Sequence, residues 1–485
     1  MPNGFAYLML LIWPLVCLWL FRKMPLQRAL IWSILGGYLF LPPLAEFNLP
    51  LVPSMDKVSI PNLSVVLILM FSLKEKLHIW PQGWIGRVLV AGLVLSAIPT
   101  VMTNRDPILF EVLRDADPII FLVDQLPGQS VRDVGAVVLS QVLTLVPFLL
   151  ARQYLADEKG LHEVLLAFMV GGLIYSIPSL FEIQFSPVTN IWIYGFFQHS
   201  FEQMIRDGGY RPIVFLPHGL WLAIFVVTSL IAAAALVRNG PAEKRFKGYL
   251  IVGYLAVLLV LCKSLASFAY GVALTPVALF IPSRWQIRLA VFFAVVAVGY
   301  PMLRNLDVVP TEAILAQAAE ISDERAQSLA YRFNNEDQLL VRAAEKPAFG
   351  WGGWGRSLVR HSETGDILTV PDGRWIIVFG TFGWVGYICE FGLLALPLLM
   401  MGLYVSRRRP QTISLFVAPL CLILGVTLMD MLLNATLTPL TWLTAGAIMG
   451  HAEKLFAGVS HPPRYQMRDT VFDKTRQNQG KRTVL

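Results

Sequence analysis

The chain is poor in charge. Only 15% of its 485 residues are Asp, Glu, Lys or Arg, while 56% are hydrophobic, against about a quarter charged in an ordinary soluble domain. That composition excludes a soluble globular enzyme. Cysteine is also scarce: Cys17, Cys262, Cys389 and Cys421 all fall within or at the ends of apolar runs, so neither a disulfide framework nor zinc-ligand spacing is indicated. No convincing internal repeat is visible, and most ionisable residues lie at the ends of apolar runs, Glu182, Glu390 and Asp430 apart. Both absences count against a carrier, whose halves are commonly repeats with interrupted, charged helices. The first apolar run has no basic segment ahead of it and no clear small-residue cleavage site behind it. It is expected to be a retained span rather than a signal peptide.

What the chain has in abundance is apolar sequence. Runs of roughly bilayer-crossing length, about 17–25 residues, can be drawn near 4–21, 29–45, 58–73, 85–102, 133–151, 161–181, 213–237, 248–262, 265–282, 287–303, 376–405, 411–430 and 434–451. The expected fold is an all-α polytopic membrane protein of about 12–13 transmembrane helices, ten of them in 1–303 and three in 375–451. Basic residues near span ends stay on the cytoplasmic side. The loops carrying Arg22-Lys23 with Arg28, Lys74 with Lys76 and Arg87, Arg152 with Lys159, Arg238 with Lys244-Arg245-Lys247, Arg284 with Arg288, and Arg407-Arg408-Arg409 alternate with loops that hold far fewer. The first set is expected to be cytoplasmic. The tail at 452–485, with Arg464, Arg468, Lys474, Arg476, Lys481 and Arg482, falls on the same side and reads as disordered. Basic cytoplasmic loops account for the net charge of +7, with some attraction to anionic membrane lipid, and no nucleic acid is needed to explain it.

The opposite face then receives the loops near 103–132, 183–212 and 304–374. The last is too long for a bare connector and should contain helices. Ser322-Asp323-Glu324 supplies capping and acidic first-turn residues, and Pro347 followed by Gly350 supplies a stop, which predicts a helix over about 323–346. Leu329, Phe333, Leu340, Val341 and Ala344 fall roughly on one face, and Arg332 and Glu336, four apart, can pair on the helix surface. The following Gly350-Trp351-Gly352-Gly353-Trp354-Gly355 permits tight turns, and its tryptophans suit either simple interfacial anchoring or a sugar face.

Four short segments, in order and on one predicted face, resemble the O-antigen ligase and Wzy-type polysaccharide polymerase family of bacterial envelopes. The arginine-led helix from Arg332 to Pro347-Ala348-Phe349-Gly350-Trp351-Gly352 is similar to that family's helix ending in Pro-x-x-Gly-x-Gly. Arg211-Pro212-Ile213-Val214-Phe215-Leu216-Pro217-His218-Gly219 resembles its arginine, turn and small residue entering the membrane. Cys262-Lys263-Ser264 sits where the family often has a serine-arginine pair, with Lys263 in place of the arginine. Asp372-Gly373-Arg374-Trp375 leading to Phe379-Gly380-Thr381-Phe382-Gly383 resembles the loop exit, without the His-Asn that usually precedes it. The resemblance covers roughly 205–405, and its departures mark a divergent branch.

The resemblance implies a metal-independent, inverting glycosyltransferase of a bacterial inner membrane. Its donor would be a glycan on a polyprenyl diphosphate at the periplasmic face, its acceptor a second lipid-linked glycan in a polymerase or a terminal lipid in a ligase. Both remain open, with a lean towards exopolysaccharide or O-antigen polymerase, and other polysaccharide-export proteins are possible partners. Arginines bind phosphate oxygens through paired donors and stabilise the charge on a departing diphosphate. Arg211, Lys263 and Arg332 are the diphosphate-binding candidates. The acceptor hydroxyl must lose a proton, for which His218, Glu336, His361 and Asp372 are candidates. No cofactor and no metal are expected.

Each candidate has a plainer explanation. Arg211 can snorkel to an interface, Lys263 can be an ordinary turn residue, Arg332 can simply pair with Glu336, His218 can cap a turn between Pro217 and Gly219, and His361 can be an exposed loop residue. Asp115-Ala116-Asp117 has the Asp-x-Asp spacing of metal-dependent transferases, but Glu111 and Arg114 beside it point to a charged interfacial segment. A transporter or flippase for a lipid-linked glycan is the alternative function. A scaffold role leaves the arginines and the long loop unexplained.

Overall fold

The computed structural model describes residues 1–48, 52–114, 120–206, 208–306, 308–362, 364–407 and 413–458. The basic tail beyond 458 and the Asp115-x-Asp117 motif lie outside the described residues. In chain order the helices begin with α1 (Gly4–Lys23), α2 (Leu26–Phe40), α3 (Ser59–Leu67), α4 (Trp84–Leu95), α5 (Ala97–Met102), α6 (Val131–Tyr154), α7 (Glu158–Gln184) and α8 (Thr189–Tyr194). There follow α9 (Gly219–Asn239), α10 (Arg245–Leu261), α11 (Leu265–Phe280), α12 (Ser283–Asn305), α13 (Thr311–Ile321), α14 (Asp323–Ala344), α15 (Arg374–Arg407), α16 (Val417–Leu433) and α17 (Pro439–Phe456). Two antiparallel hairpins interrupt them, β1–β2 (Ile108–Arg114 with Ile120–Leu126) and β3–β4 (Ile205–Arg206 with Gly209–Tyr210).

Seven helical segments among the described residues are long and apolar enough to cross a membrane, and the chain is mainly helical, as expected of an all-α multi-pass protein. They are α1, the continuous α4–α5 segment, α6, α7, α9, α12 and α15. Three more apolar helices, at Ser59–Ser72, Leu265–Phe280 and Val417–Leu433, are shorter. A full count of 12–13 spans is therefore more than length and composition establish. In α17 almost every residue is buried by other helices, so that an apolar helix here packs against protein as readily as against lipid. At the rim, Leu11, Leu15 and Trp19 of α1, Trp84 and Val88 of α4, and Phe292 and Val295 of α12 are exposed, as befits surfaces that face hydrocarbon.

The helix predicted at 323–346 is α14, Asp323–Ala344. Its buried face is rotated from the one expected. Phe333, Glu336, Leu339 and Ala343 are buried, while Val341 and Ala344 are exposed. Within the segment near 103–132 a β-hairpin pairs Ile108 with Leu126 through to Arg114 with Ile120.

The two glycine motifs of the sequence are halves of one joint. α15 is broken at Gly383, where φ is 65°. The turn after α14 fills the break: Trp351 and Gly352 N–H groups donate to the carbonyls of Gly380 and Thr381 at 2.8 and 2.9 Å, and Trp384 and Val385 N–H groups donate to those of Pro347 and Ala348 at 2.8 and 3.2 Å. Four backbone groups freed by the break are thereby paired, as an apolar surrounding demands. A Cβ at Gly350 would lie 2.5 Å from the backbone of Thr381, and one at Gly383 2.4 Å from that of Ala348. With both residues at positive φ, only glycine fits. Thr100 and Asn104 add bonds to the carbonyls of Phe349 and Gly350 at 2.7 and 2.9 Å. The joint pins the end of α14 to the bundle.

Candidate functional site

Arg211 follows β4 and precedes a buried, irregular stretch that leads into α9. Backbone groups of that stretch are met by side chains. Glu182 accepts from the N–H groups of Ile213 and Val214, both at 2.8 Å, and Tyr175 accepts from Phe215 N–H at 2.9 Å. Gln198 donates to the carbonyl of Val214 at 2.8 Å, and Lys57 to that of Phe215 at 2.9 Å. Buried irregular backbone survives only when satisfied in this way, so Glu182 has a structural role. Gly219 completes the seat, because a Cβ there would meet Arg211 Cδ at 2.8 Å.

The guanidinium so placed is 2% exposed, yet its Nε and Nη2 have no hydrogen-bond partner among the described residues. It lines a cavity of about 560 Å³ together with Arg206, Arg332, His199, His218 and Asp372. A smaller adjoining cavity of about 220 Å³ shares the three arginines and reaches Ser264 and Tyr270. Burial, followed by the neighbouring Arg206 charge, pushes the Arg211 pKa down to about 10. It remains a cation at neutral pH. An unpaired buried cation is costly, and the cavity in front of it has room for the anion that would pair with it.

Arg332 reaches the cavity from α14 and meets Asp372, with Nε 3.5 Å from Oδ2. Burial raises the Asp372 pKa above the ordinary carboxylate value, partly countered by Arg332. The expected Arg332–Glu336 pair is not formed. Glu336 points away from the cavity, accepts from Tyr300 Oη at 3.2 Å and lies 3.7 Å from Arg304 Nε. Burial raises its pKa to about 7. The helix turns this carboxylate inward because Phe333, Leu339 and Ala343, at spacings of three to seven residues from Glu336, form the packed face.

His218 caps α9, its Nδ1 accepting from Leu220 N–H at 2.9 Å. That bond assigns the proton of the neutral ring to Nε2. Burial first, then Arg211, lowers its pKa to about 3. In this state the imidazole is a neutral donor rather than a base. His199, whose ring centre is 4.4 Å away, is likewise held neutral by burial and Arg211. Of the four proton-acceptor candidates, Asp372 combines a place on the cavity wall with an available carboxylate.

Lys263 is not on the wall of either cavity. It sits at φ 50° and donates to the carbonyl of Arg206 at 2.6 Å, bracing the β3–β4 hairpin that presents Arg206. His361 lies elsewhere, in a turn where its N–H donates to the carbonyl of Asp366 and its Nδ1 accepts from Thr364 N–H. Arg374, beside Asp372, is committed to Glu390 through two bonds of 2.7 and 2.6 Å.

Sequence reasoning missed Arg206, His199 and Asn434 on these walls. The Asp207-Gly208-Gly209 run after Arg206 is a hairpin signal that could have marked the first. Asn434 follows the last residue of α16 and is held by Asp430 at 2.9 Å, a position with no prior signature. Among the described residues no group of three or more His, Cys, Asp or Glu is placed to hold a metal ion. No protein-family model matches the chain, and no curated protein matches it.

Proposed function

We propose that this protein is a membrane-embedded glycosyltransferase of the O-antigen ligase and Wzy-type polymerase kind, taking its glycan from a polyprenyl diphosphate at the periplasmic face of a bacterial inner membrane. The observation that carries the reading is Arg211, a buried guanidinium with two unpartnered donor atoms on the wall of a cavity shared with Arg206 and Arg332. Three guanidinium groups facing one space suit a diphosphate better than a neutral ligand.

In the proposed reaction the acceptor hydroxyl oxygen attacks the anomeric carbon of the donor glycan as the bond from that carbon to the diphosphate oxygen breaks. Attack from the opposite side inverts the anomeric centre. Arg211, Arg332 and Arg206 stabilise the charge that gathers on the leaving diphosphate, Arg211 the more strongly for being buried. The hydroxyl proton passes to Asp372, whose raised pKa brings it nearer to a base suited to neutral conditions. His218 donates from Nε2 to a phosphate oxygen. Lys263 contributes by holding Arg206 in position.

Incubation of the purified chain with a lipid-diphosphate-linked repeat unit tests the reading. A ladder of longer lipid-linked glycans identifies a polymerase, the favoured form, and transfer to a different lipid identifies a ligase. If the donor returns unchanged with every acceptor offered, the glycosyltransferase reading is wrong.

A further inference from the structure

A second arginine-lined cavity lies farther along α14. It measures about 460 Å³ and is lined by Arg342, Arg356 and Arg360 together with Leu109, Phe110 and Leu126 of the β1–β2 hairpin. Each guanidinium is held by protein contacts that leave its Nε over. Arg356, 2% exposed, gives Nη1 to the carbonyl of Pro127 at 2.9 Å and Nη2 to that of Asp106 at 2.8 Å. Arg360 gives Nη1 to the carbonyl of Gly365 at 2.9 Å. Arg342 stacks on Trp351, 3.4 Å from the ring centre, and its Nη1 pairs with Glu345 at 2.7 Å. The Nε atoms of all three are buried without a partner among the described residues.

Among the described residues three cations face one carboxylate, Glu345, on this wall. The excess is not explained by the diphosphate site, because Arg342 is ten residues beyond Arg332, or about 15 Å along the helix axis. The contacts that fix each guanidinium also predispose the cluster to an anion, since little ordering remains to be done on binding. The apolar side chains that line the same cavity suit the C–H face of a sugar ring.

We infer that this cavity is the acceptor subsite, and that the acceptor it takes carries an acidic group, a phosphate or carboxylate, on a sugar. The assignment to an acceptor rests on the function proposed above; the binding of an anion does not. Donor diphosphate and acceptor acid are then read by the middle and the C-terminal end of one helix, which the Gly350–Gly383 joint fixes to the membrane-spanning part.

Titration calorimetry of the full chain with inorganic pyrophosphate tests the inference without any transfer. Two equivalents should bind, one lost in Arg211→Met and the other in Arg360→Gln. Because Arg360 also supports its turn, Val341→Glu provides a variant that removes no internal contact: Val341 lines the cavity and is 71% exposed. In a transfer assay Val341→Glu should raise the KM for an acidic acceptor about tenfold or more, leaving kcat and the donor KM within about twofold, in line with the strength of charge-assisted bonds. Retention of both equivalents in Val341→Glu and Arg360→Gln overturns the inference. If nanodiscs of phosphatidylglycerol, compared with phosphatidylcholine, abolish the second equivalent, a lipid headgroup fills the cavity and the acceptor assignment is wrong. A chain that binds two equivalents but transfers no glycan overturns the proposed function, and the acceptor assignment with it, while keeping the anion site.

Discussion

Replacing Arg211 by Met should make the unliganded protein more stable while destroying transfer. The side chain is 2% exposed with Nε and Nη2 unpartnered. Leaving a buried donor unsatisfied costs about 1–3 kcal/mol, more for a charged group, so the two together cost roughly 2–6 kcal/mol without an anion to pair with them. Methionine keeps much of the stem that lies against Gly219, and an imperfect volume match forfeits less than about 1.5 kcal/mol. A net gain of roughly 0.5–6 kcal/mol follows from that difference. Unfolding of both proteins in matched detergent, followed by circular dichroism, measures it. Pyrophosphate at about one hundred times its Kd should then stabilise the wild type by about 2.7 kcal/mol and the variant far less at the diphosphate site. A variant less stable than wild type, with an unchanged response to pyrophosphate and near-normal transfer, would refute the reasoning.

Further outcomes follow from the same geometry. Arg332→Ala should abolish transfer with folded protein still in the membrane, and Lys263→Ala should only weaken it, because Lys263 acts through the hairpin carrying Arg206; rates of product formation distinguish the two. The rate should fall with acid at a pH above the ordinary carboxylate range, set by the raised Asp372 pKa, and Asp372→Asn should remove that limb of the pH–rate profile. Glu336 has a pKa raised from 4.5 to about 7, so its contribution to stability is fully present below pH 4.5 and is lost as pH rises through 7; Glu336→Gln should flatten that dependence and stabilise the protein at pH 8 by up to about 3 kcal/mol. Gly383→Ala puts a Cβ into the Ala348 backbone and should destabilise by at least about 2 kcal/mol through strain at positive φ, seen as loss of folded protein in size-exclusion chromatography.

The sequence made the helical, membrane-spanning character legible because apolar runs need only composition to be recognised. It also located α14 to within two residues at its C-terminal end, since Ser322, Pro347 and Gly350 act locally. The rotation of its buried face was not legible. Val341 and Leu340 are as apolar as Leu339, and only packing around Tyr300 and Trp375 selects Phe333, Glu336, Leu339 and Ala343. Within the site, the structure brings Arg332 and Asp372 to the cavity that Arg211 and His218 line, although the two pairs lie more than a hundred residues apart in the chain. The roles of the others depend on direction rather than identity. Lys263 points at a carbonyl, His361 closes a turn, and Glu336 faces Tyr300. The mutual fit of the Gly350 and Gly383 motifs was equally hidden, because each half reads as an ordinary turn until their hydrogen bonds are seen together.

The central claim is that Arg211 pairs with the diphosphate of a lipid-linked donor and lets its glycan depart. The most direct measurement mixes purified wild type or Arg211→Met with a radiolabelled polyprenyl-diphosphate-linked repeat unit in the presence of a metal chelator and resolves the products. The account predicts new lipid-linked or lipid-transferred glycan with the wild type and none with the variant. Equal product from both proteins, or none from either, would contradict it.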